Sequence, residues 1–193
     1  LETDNGFLDP AHYLHEAAMD GVSCTLCHQI QPDNLGMPSS FTGQYRIDTT
    51  TFSPDRVIFG PYERPRRNPM QRNTGFLPTD HAPAMQLADS AHCGSCHTLY
   101  TPALDAEGNY LGEFPEQTTY LEWEHSQIKQ TCQDCHLPDA VGAVVISNRP
   151  RRLTARNPFG QHHYVGGNSF MVNLLKTNQA NLGVTADATH LDA

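Results

Sequence analysis

The sequence predicts a mainly α fold with extensive irregular loops, and its composition is the first reason. The 193 residues include 14 Gly and 14 Pro but a single Trp, and only 38% of them are apolar. Such a composition indicates short helices joined by long loops, and it offers few aliphatic side chains for a core. We therefore expect residues 1–193 to form one domain in which another group fills part of the interior.

The second reason is the pattern of helix signals. Three segments are helix candidates, namely 83–92, 116–131 and 168–182, and the last runs from a cap at Asn168 to Gly183 with an apolar stripe between them. Near the start of the chain, Asp9 can cap a short helix whose first turn accepts Pro10. The interval from about 30 to 80 is rich in Pro, Thr, Ser and Gly. It predicts a wrapping loop with one hairpin, formed by 44–47 and 56–59.

Charge and hydropathy exclude two classes of partner. The net charge is -9, from 21 acidic and 12 basic residues, which argues against nucleic-acid binding. No apolar run is long enough for a transmembrane helix. The chain shows neither a signal peptide nor an initiator Met, so we expect a mature product or a fragment of a longer protein.

All six cysteines belong to one motif that occurs three times. The motif is C-x-x-C-H, and it occurs at Cys24–His28, Cys93–His97 and Cys132–His136. Two thiols with this spacing can add across the two vinyl groups of a porphyrin, and the imidazole that follows can bind the iron. The motifs therefore predict three covalently bound c-type haems. Cys24, Cys27, Cys93, Cys96, Cys132 and Cys135 would attach them, and His28, His97 and His136 would be the proximal iron ligands.

Two other uses of six cysteines fit the motifs less well. Three disulfides in an exported chain would not require a His after every pair. Zinc sites normally combine two C-x-x-C pairs in one four-ligand shell, and three pairs do not divide into such shells. Because haem c is attached outside the cytoplasm, the haem interpretation predicts a periplasmic or extracellular location.

Each iron needs a sixth ligand, and eight histidines remain for this role. His15, His163 and His81 are the leading distal candidates, and His125 and His12 are weaker ones. His92 and His162 rank lower still, and His190 lies near a terminus. Met70 and Met85 offer a thioether alternative, which would raise the potential of the haem.

Geometry limits these candidates, because a distal ligand approaches the face opposite the proximal His. His92 adjoins Cys93 and could serve only a different haem. His125 lies seven residues before Cys132, on one face of a predicted helix, and the same limit applies. His162 and His163 precede a Gly pair that would let the backbone approach a flat porphyrin.

Two Arg-rich segments repeat a short pattern. They are Arg64-Pro-Arg-Arg67 and Arg149-Pro-Arg-Arg152. Guanidinium groups bind carboxylates in a bidentate manner, so the preferred partners are haem propionates. Solvated loops and an anion-binding or partner-docking patch are the alternatives.

The sequence around the motifs resembles a haem-binding module of bacterial multihaem cytochromes c. The resemblance covers residues 12–175 and is carried by 92–102, 114–123, 131–138 and 162–168. Such modules resemble parts of the cytochrome c554 and hydroxylamine oxidoreductase superfamily, and this resemblance implies a mainly helical wrapping around three closely spaced haems. The chain has no C-x-x-C-K site, so the lysine-ligated haem of the pentahaem nitrite reductases is missing.

These observations predict an electron-transfer protein with mostly bis-His haems and no catalytic residue. Redox proteins would be its partners, and a homo-oligomer or filament is a variant of this prediction. The alternative is a redox enzyme in which one open haem acts on a small nitrogen compound or a peroxide. A haem-based sensor or assembly module is a third class.

Overall fold

The computed structural model describes residues 10–16, 22–79, 86–164, 166 and 169–182. Within these ranges the chain forms short helices and four strands. The helices are α1 (Cys24–Cys27), α2 (Arg67–Thr74), α3 (Ser90–Gly94), α4 (Thr119–His125), α5 (Cys132–His136), α6 (Ser169–Thr177) and α7 (Gln179–Leu182). The strands are β1 (Arg56–Ile58), β2 (Phe76–Pro78), β3 (Leu99–Leu104) and β4 (Tyr110–Gln117).

The prediction of a mainly α chain wrapped around closely spaced haems is wrong. Only 31% of the structure is helical, and 16% is strand. The described strands form two small sheets, in which β1 pairs with β2 in parallel and β3 pairs with β4 in antiparallel. Residues 99–117 carry Tyr, Thr and Phe, which favour a pleated strand. This local preference produces a hairpin over 99–117, whereas no element was predicted for 99–115 and a helix was predicted to begin at 116.

Several predicted elements differ from the observed ones. The helix expected over 116–131 is confined to α4, because Ser126 has an extended backbone with φ -80° and ψ 175°. The hairpin expected from 44–47 and 56–59 does not form. Instead Ile47 makes an antiparallel bridge to Ile30, and β1 pairs with β2. The helix expected over 168–182 is divided between α6 and α7.

The chain divides into two compact units, and the first carries the first haem motif. It comprises Leu1–Asp33 and Tyr45–Leu87. Its β1, α2 and β2 form a small β-α-β arrangement, in which α2 ends at the left-handed Gly75. Ile30 and Phe59 are its buried apolar side chains among the described residues.

The second unit carries the other two motifs and the β3–β4 hairpin. It comprises Asn34–Gln44 and Ala88–Ala193. Its core contains the buried side chains of Phe41, Ala91 and Tyr120. The half-buried side chains that pack against this core are Leu35, Tyr100, Leu121 and Trp123. Since Ala91 lies in α3 and Tyr120 in α4, this core supports the backbone of the second motif.

Candidate haem-attachment sites

The three C-x-x-C-H motifs share a helical backbone between the first Cys and the His. In the first motif the amide of His28 donates to the carbonyl of Cys24 at 3.1 Å. In the second, the amide of His97 donates to the carbonyl of Cys93 at 2.9 Å. The third motif is helical throughout, as α5. Residues i, i+3 and i+4 of a helix share one face, so each motif presents two thiols and an imidazole together.

The cysteines are accessible for chemistry. None of the six forms a disulfide, so the structure gives no support to the three-disulfide alternative. In each motif one thiol is exposed and the other is half-buried. The described residues also contain no group of three or more His, Cys, Asp or Glu side chains that could share one metal ion, as a zinc shell would need.

The imidazole of His28 is oriented by the backbone of Phe59 through two contacts. The amide of Phe59 donates to the carbonyl of His28, and Nδ1 of His28 lies 2.7 Å from the carbonyl of Phe59. A carbonyl can only accept, so Nδ1 carries the proton and the lone pair of Nε2 becomes the metal-binding one. Metal-ligating histidines characteristically donate their second ring N–H in this way. The geometry of His28 therefore fits an iron ligand.

The histidines of all three motifs have the same kind of backbone contact. The carbonyl of His28 accepts from the amide of Phe59 at 2.7 Å, that of His97 from Tyr120 at 3.3 Å, and that of His136 from Tyr164 at 3.0 Å. Each donor is an aromatic residue from a distant part of the sequence. These contacts fix the backbone of the residue that ends each motif. Sequence reasoning missed them, because no local pattern links the two partners.

The second motif contains a glycine that the packing requires. A Cβ atom built on Gly94 would lie 2.6 to 2.9 Å from three ring atoms of Tyr120. Real Cβ atoms do not approach so closely, so position 94 of the motif requires Gly. Burial raises the pKa of the Tyr120 hydroxyl, and nearby Glu124 and Asp89 act in the same direction. The ring is thus a fixed support beneath the second motif.

The second and third motifs are connected by hydrogen bonds within the second unit. The amide of Cys132 donates to the hydroxyl of Ser90 at 3.0 Å, and this hydroxyl lies on a fully buried residue. The side-chain amide of Gln133 donates to the carbonyl of Asp89 at 2.8 Å. The N-terminus of α5 is therefore held against the N-terminus of α3. A capping box of Thr131 and Asp134 further stabilises α5.

Two of the three leading distal candidates, His15 and His81, are not brought to any motif by the described contacts. His15 is half-buried at the end of a short turn in which its amide donates to the carbonyl of His12 at 2.9 Å. The ring of His12 lies 4.7 Å from that of Tyr13. His81 lies outside the described residues, as do Met85 and His190. Met70 is exposed on α2.

His163 lies next to a backbone contact of the third motif. The amide of the neighbouring Tyr164 donates to the carbonyl of His136 at 3.0 Å. His163 is half-buried, and its Nε2 is shielded from solvent. The exposed His162 packs edge-on against Tyr164. Iron ligation by His163 or His162 stays a prediction.

His125 has the orientation of a metal ligand. Its Nδ1 lies 2.7 Å from the carbonyl of Leu121, one turn earlier in α4, so its Nε2 carries the lone pair. The prediction that His125 and Cys132 share a helix face is wrong, because α4 ends at His125 and α5 begins at Cys132. His92 is half-buried in α3, immediately before Cys93.

The two Arg-rich segments lie in different units. Arg64–Arg67 belongs to unit 1, and Arg149–Arg152 belongs to unit 2. The Arg side chains of both segments are exposed. Propionate binding by these residues stays a prediction.

Comparison with known proteins identifies no relative of the chain. No family model, no curated protein and no solved structure matches the chain. Within the described ranges, no helix has the length and apolar character that crossing a membrane requires.

Proposed function

We propose that the chain binds three haem c groups covalently and transfers electrons. The observation that carries this proposal is the use of every cysteine in one repeated unit. Three times, a helical turn presents two thiols that form no disulfide, followed by an imidazole. When bound, haem supplies a reversible one-electron couple. The resemblance to bacterial multihaem cytochromes c supports the same assignment.

The role of the protein is to position the imidazoles and to tune them. Donation from Nδ1 of His28 to the carbonyl of Phe59 fixes one tautomer and leaves the lone pair on Nε2. An imidazole held in this way would be a stronger donor to an iron, so this contact would lower the potential of the first haem. The ring of His97 is exposed, and the described residues offer it no hydrogen-bond acceptor. The two sites would therefore have different potentials.

The distal ligands in this proposal come from other histidines, with mostly bis-His coordination. Two described candidates have features that favour iron binding. His125 has a fixed tautomer with its lone pair on Nε2, and His163 has an Nε2 that is shielded from solvent. Redox proteins in the periplasm or outside the cell would be the partners, and association of the chain with itself is a variant.

Haem attachment can be tested by mass. The chain is expressed with export to the periplasm of a host that attaches haem c, and the denatured protein is weighed. We expect the polypeptide mass plus three haems, and one haem fewer for each of the variants Cys24→Ala/Cys27→Ala, Cys93→Ala/Cys96→Ala and Cys132→Ala/Cys135→Ala. Expression without the attachment machinery is the control. A wild-type mass without haem, or with three disulfides, would contradict the proposal.

The electron-transfer role can be separated from the enzymatic alternative by carbon monoxide. A haem with two protein ligands has no open position, whereas a catalytic haem keeps one for its substrate. We expect the reduced protein to keep three six-coordinate spectra under carbon monoxide. Stoichiometric binding at one haem would instead support the enzyme.

A further inference from the structure

The β3–β4 hairpin begins at the core of the second unit and carries apolar side chains that are exposed to solvent. Tyr100 packs against this core, and Pro102 and Leu104 follow on the same face of β3. Leu104 pairs with Tyr110, and the two side chains are 57% and 63% exposed. Leu111 on β4 is exposed as well, and so is Phe114, which pairs with Thr101 and therefore lies on the other face of the hairpin. An apolar surface of this kind on a two-stranded sheet normally gains stability from something that packs against it.

The charges on this hairpin have one sign. Residues 99–117, the acidic hairpin, contain four acidic residues and no Lys, Arg or His. Asp105 is engaged in the turn, where its carboxylate accepts from the amides of Glu107 and Asn109. The exposed acidic side chains are Glu107, Glu113 and Glu116. A partner for this surface should therefore combine apolar side chains with positive charge.

The same unit carries a surface with the opposite charge. Residues 141–156, the basic loop, contain four Arg and no acidic residue. The loop is held at its base by a bridge in which the amides of Val144 and Arg156 each donate to the other residue's carbonyl. Its exposed apolar side chains are Val141, Val145 and Ile146, and its exposed basic ones are Arg149, Arg151 and Arg152.

We propose that the acidic hairpin of one copy of the chain docks on the basic loop of a second copy. In this contact, the three exposed carboxylates of the hairpin would face the three exposed guanidinium groups of the loop. Exposed apolar side chains lie in both segments. Arg binds carboxylates in a bidentate manner, which gives such a contact a defined orientation. Because each copy carries both surfaces, the contact either closes into a symmetric dimer or repeats from copy to copy.

The proposed contact would also have a consequence for the haem sites. The acidic hairpin begins two residues after His97, at Leu99. The basic loop follows the third motif, where the amide of Ala140 donates to Phe159 and that of Gln161 to Pro138. Docking would bring the second motif of one copy towards the third motif of the next. The association itself does not depend on haem binding, and its readout is separate from the test of the proposed function.

The experiment is a charge exchange followed by sedimentation of the exported protein, whatever its haem content. We expect the wild-type chain to form dimers or larger species at concentrations up to about 0.1 mM. The variant Glu113→Arg/Glu116→Arg should weaken association by about tenfold or more, and so should Arg151→Glu/Arg152→Glu. Combining all four substitutions should restore association, because the charges are again complementary.

Net charge provides the decisive control. The variant Glu113→Arg/Glu116→Arg changes the net charge of the polypeptide from -9 to -5, which reduces the repulsion between copies. An effect of net charge alone would therefore strengthen association, whereas the proposed contact predicts weakening. The matched variant Asp33→Arg/Asp55→Arg has the same net charge and exposed sites, and it should associate at least as well as the wild type. A monomeric wild type, or a four-site variant that does not recover, would overturn the proposal.

Discussion

The substitution Gly94→Ala tests whether the ring of Tyr120 supports the second haem motif. The added methyl group would lie 2.6, 2.8 and 2.9 Å from Cγ, Cδ2 and Cδ1 of Tyr120. The ring is buried with Phe41 and Ala91, so it has little room to withdraw. Overpacking of this kind costs about 1–3 kcal/mol, and the higher helix propensity of Ala offsets roughly 0.5–1 kcal/mol. We expect a net loss of stability of about 1–2 kcal/mol.

The change should be measurable by denaturation of the holoprotein. Trp123 is the only Trp, and its ring lies 5.7 Å from that of Tyr120, so its emission reports on this core. For a chain of this size each kcal/mol lowers Tm by about 2–4 °C. Because the amide of Tyr120 donates to the carbonyl of His97, the spectrum of the haem proposed at the second motif should shift as well.

A matched glycine provides the control. A Cβ atom on Gly60 would meet no atom within 4 Å, and its backbone is not left-handed. The variant Gly60→Ala should therefore be neutral or slightly stabilised, by about 0.4–1 kcal/mol. Equal effects of Gly94→Ala and Gly60→Ala would refute the reasoning, since the close approach of Tyr120 would then have no energetic consequence.

Two further predictions concern a helix cap and a turn. Thr131→Ala should lower the free energy of unfolding by about 1 kcal/mol in a denaturation experiment, because it removes the capping box with Asp134. Ser23→Ala should cost less, because Ser23 makes no cap hydrogen bond to α1. Equal losses of stability in the two variants would contradict this prediction. Hydrogen bonds, above all from Asn109, lower the pKa of Asp105 below its ordinary value of 3.8. The ionised carboxylate therefore stabilises the folded turn above pH 3.8, and this stabilisation is lost as the pH falls through the lower pKa of the folded state. NMR shifts of the Asn109 amide should follow that titration, and their independence of pH between 2 and about 5 would count against it.

The C-x-x-C-H motifs could be recognised in the sequence because their pattern is local, and their use for haem stays a prediction. Two Cys and one His at fixed spacing define each motif, and a helical turn is the backbone that brings them to one face. The contacts that orient the imidazoles could not be predicted in this way. Phe59 lies 31 residues from His28 and acts through its backbone, so its side chain gives no signal of the role.

The secondary structure was predicted less well, for reasons that particular segments show. Signals for the hairpin were present in residues 99–117, where strand-forming side chains flank a turn with Asp105 and Gly108. A resemblance dominated by the motifs gave too much weight to helix. The end of α4 was missed because the cap is made by Ser126, whose hydroxyl donates to the carbonyl of Trp123.

The buried hydroxyl of Ser90 shows why the second and third motifs should be regarded as one structural element. It accepts from the amide at the first position of α5, which has no partner within its own helix. The helix that carries the third motif thus begins on the helix that carries the second. A displacement of α3, such as the one expected from Gly94→Ala, would reach Cys132 through this bond. The backbones of the second and third motifs are therefore coupled by the protein, whereas the first motif is tied to Phe59 within its own unit.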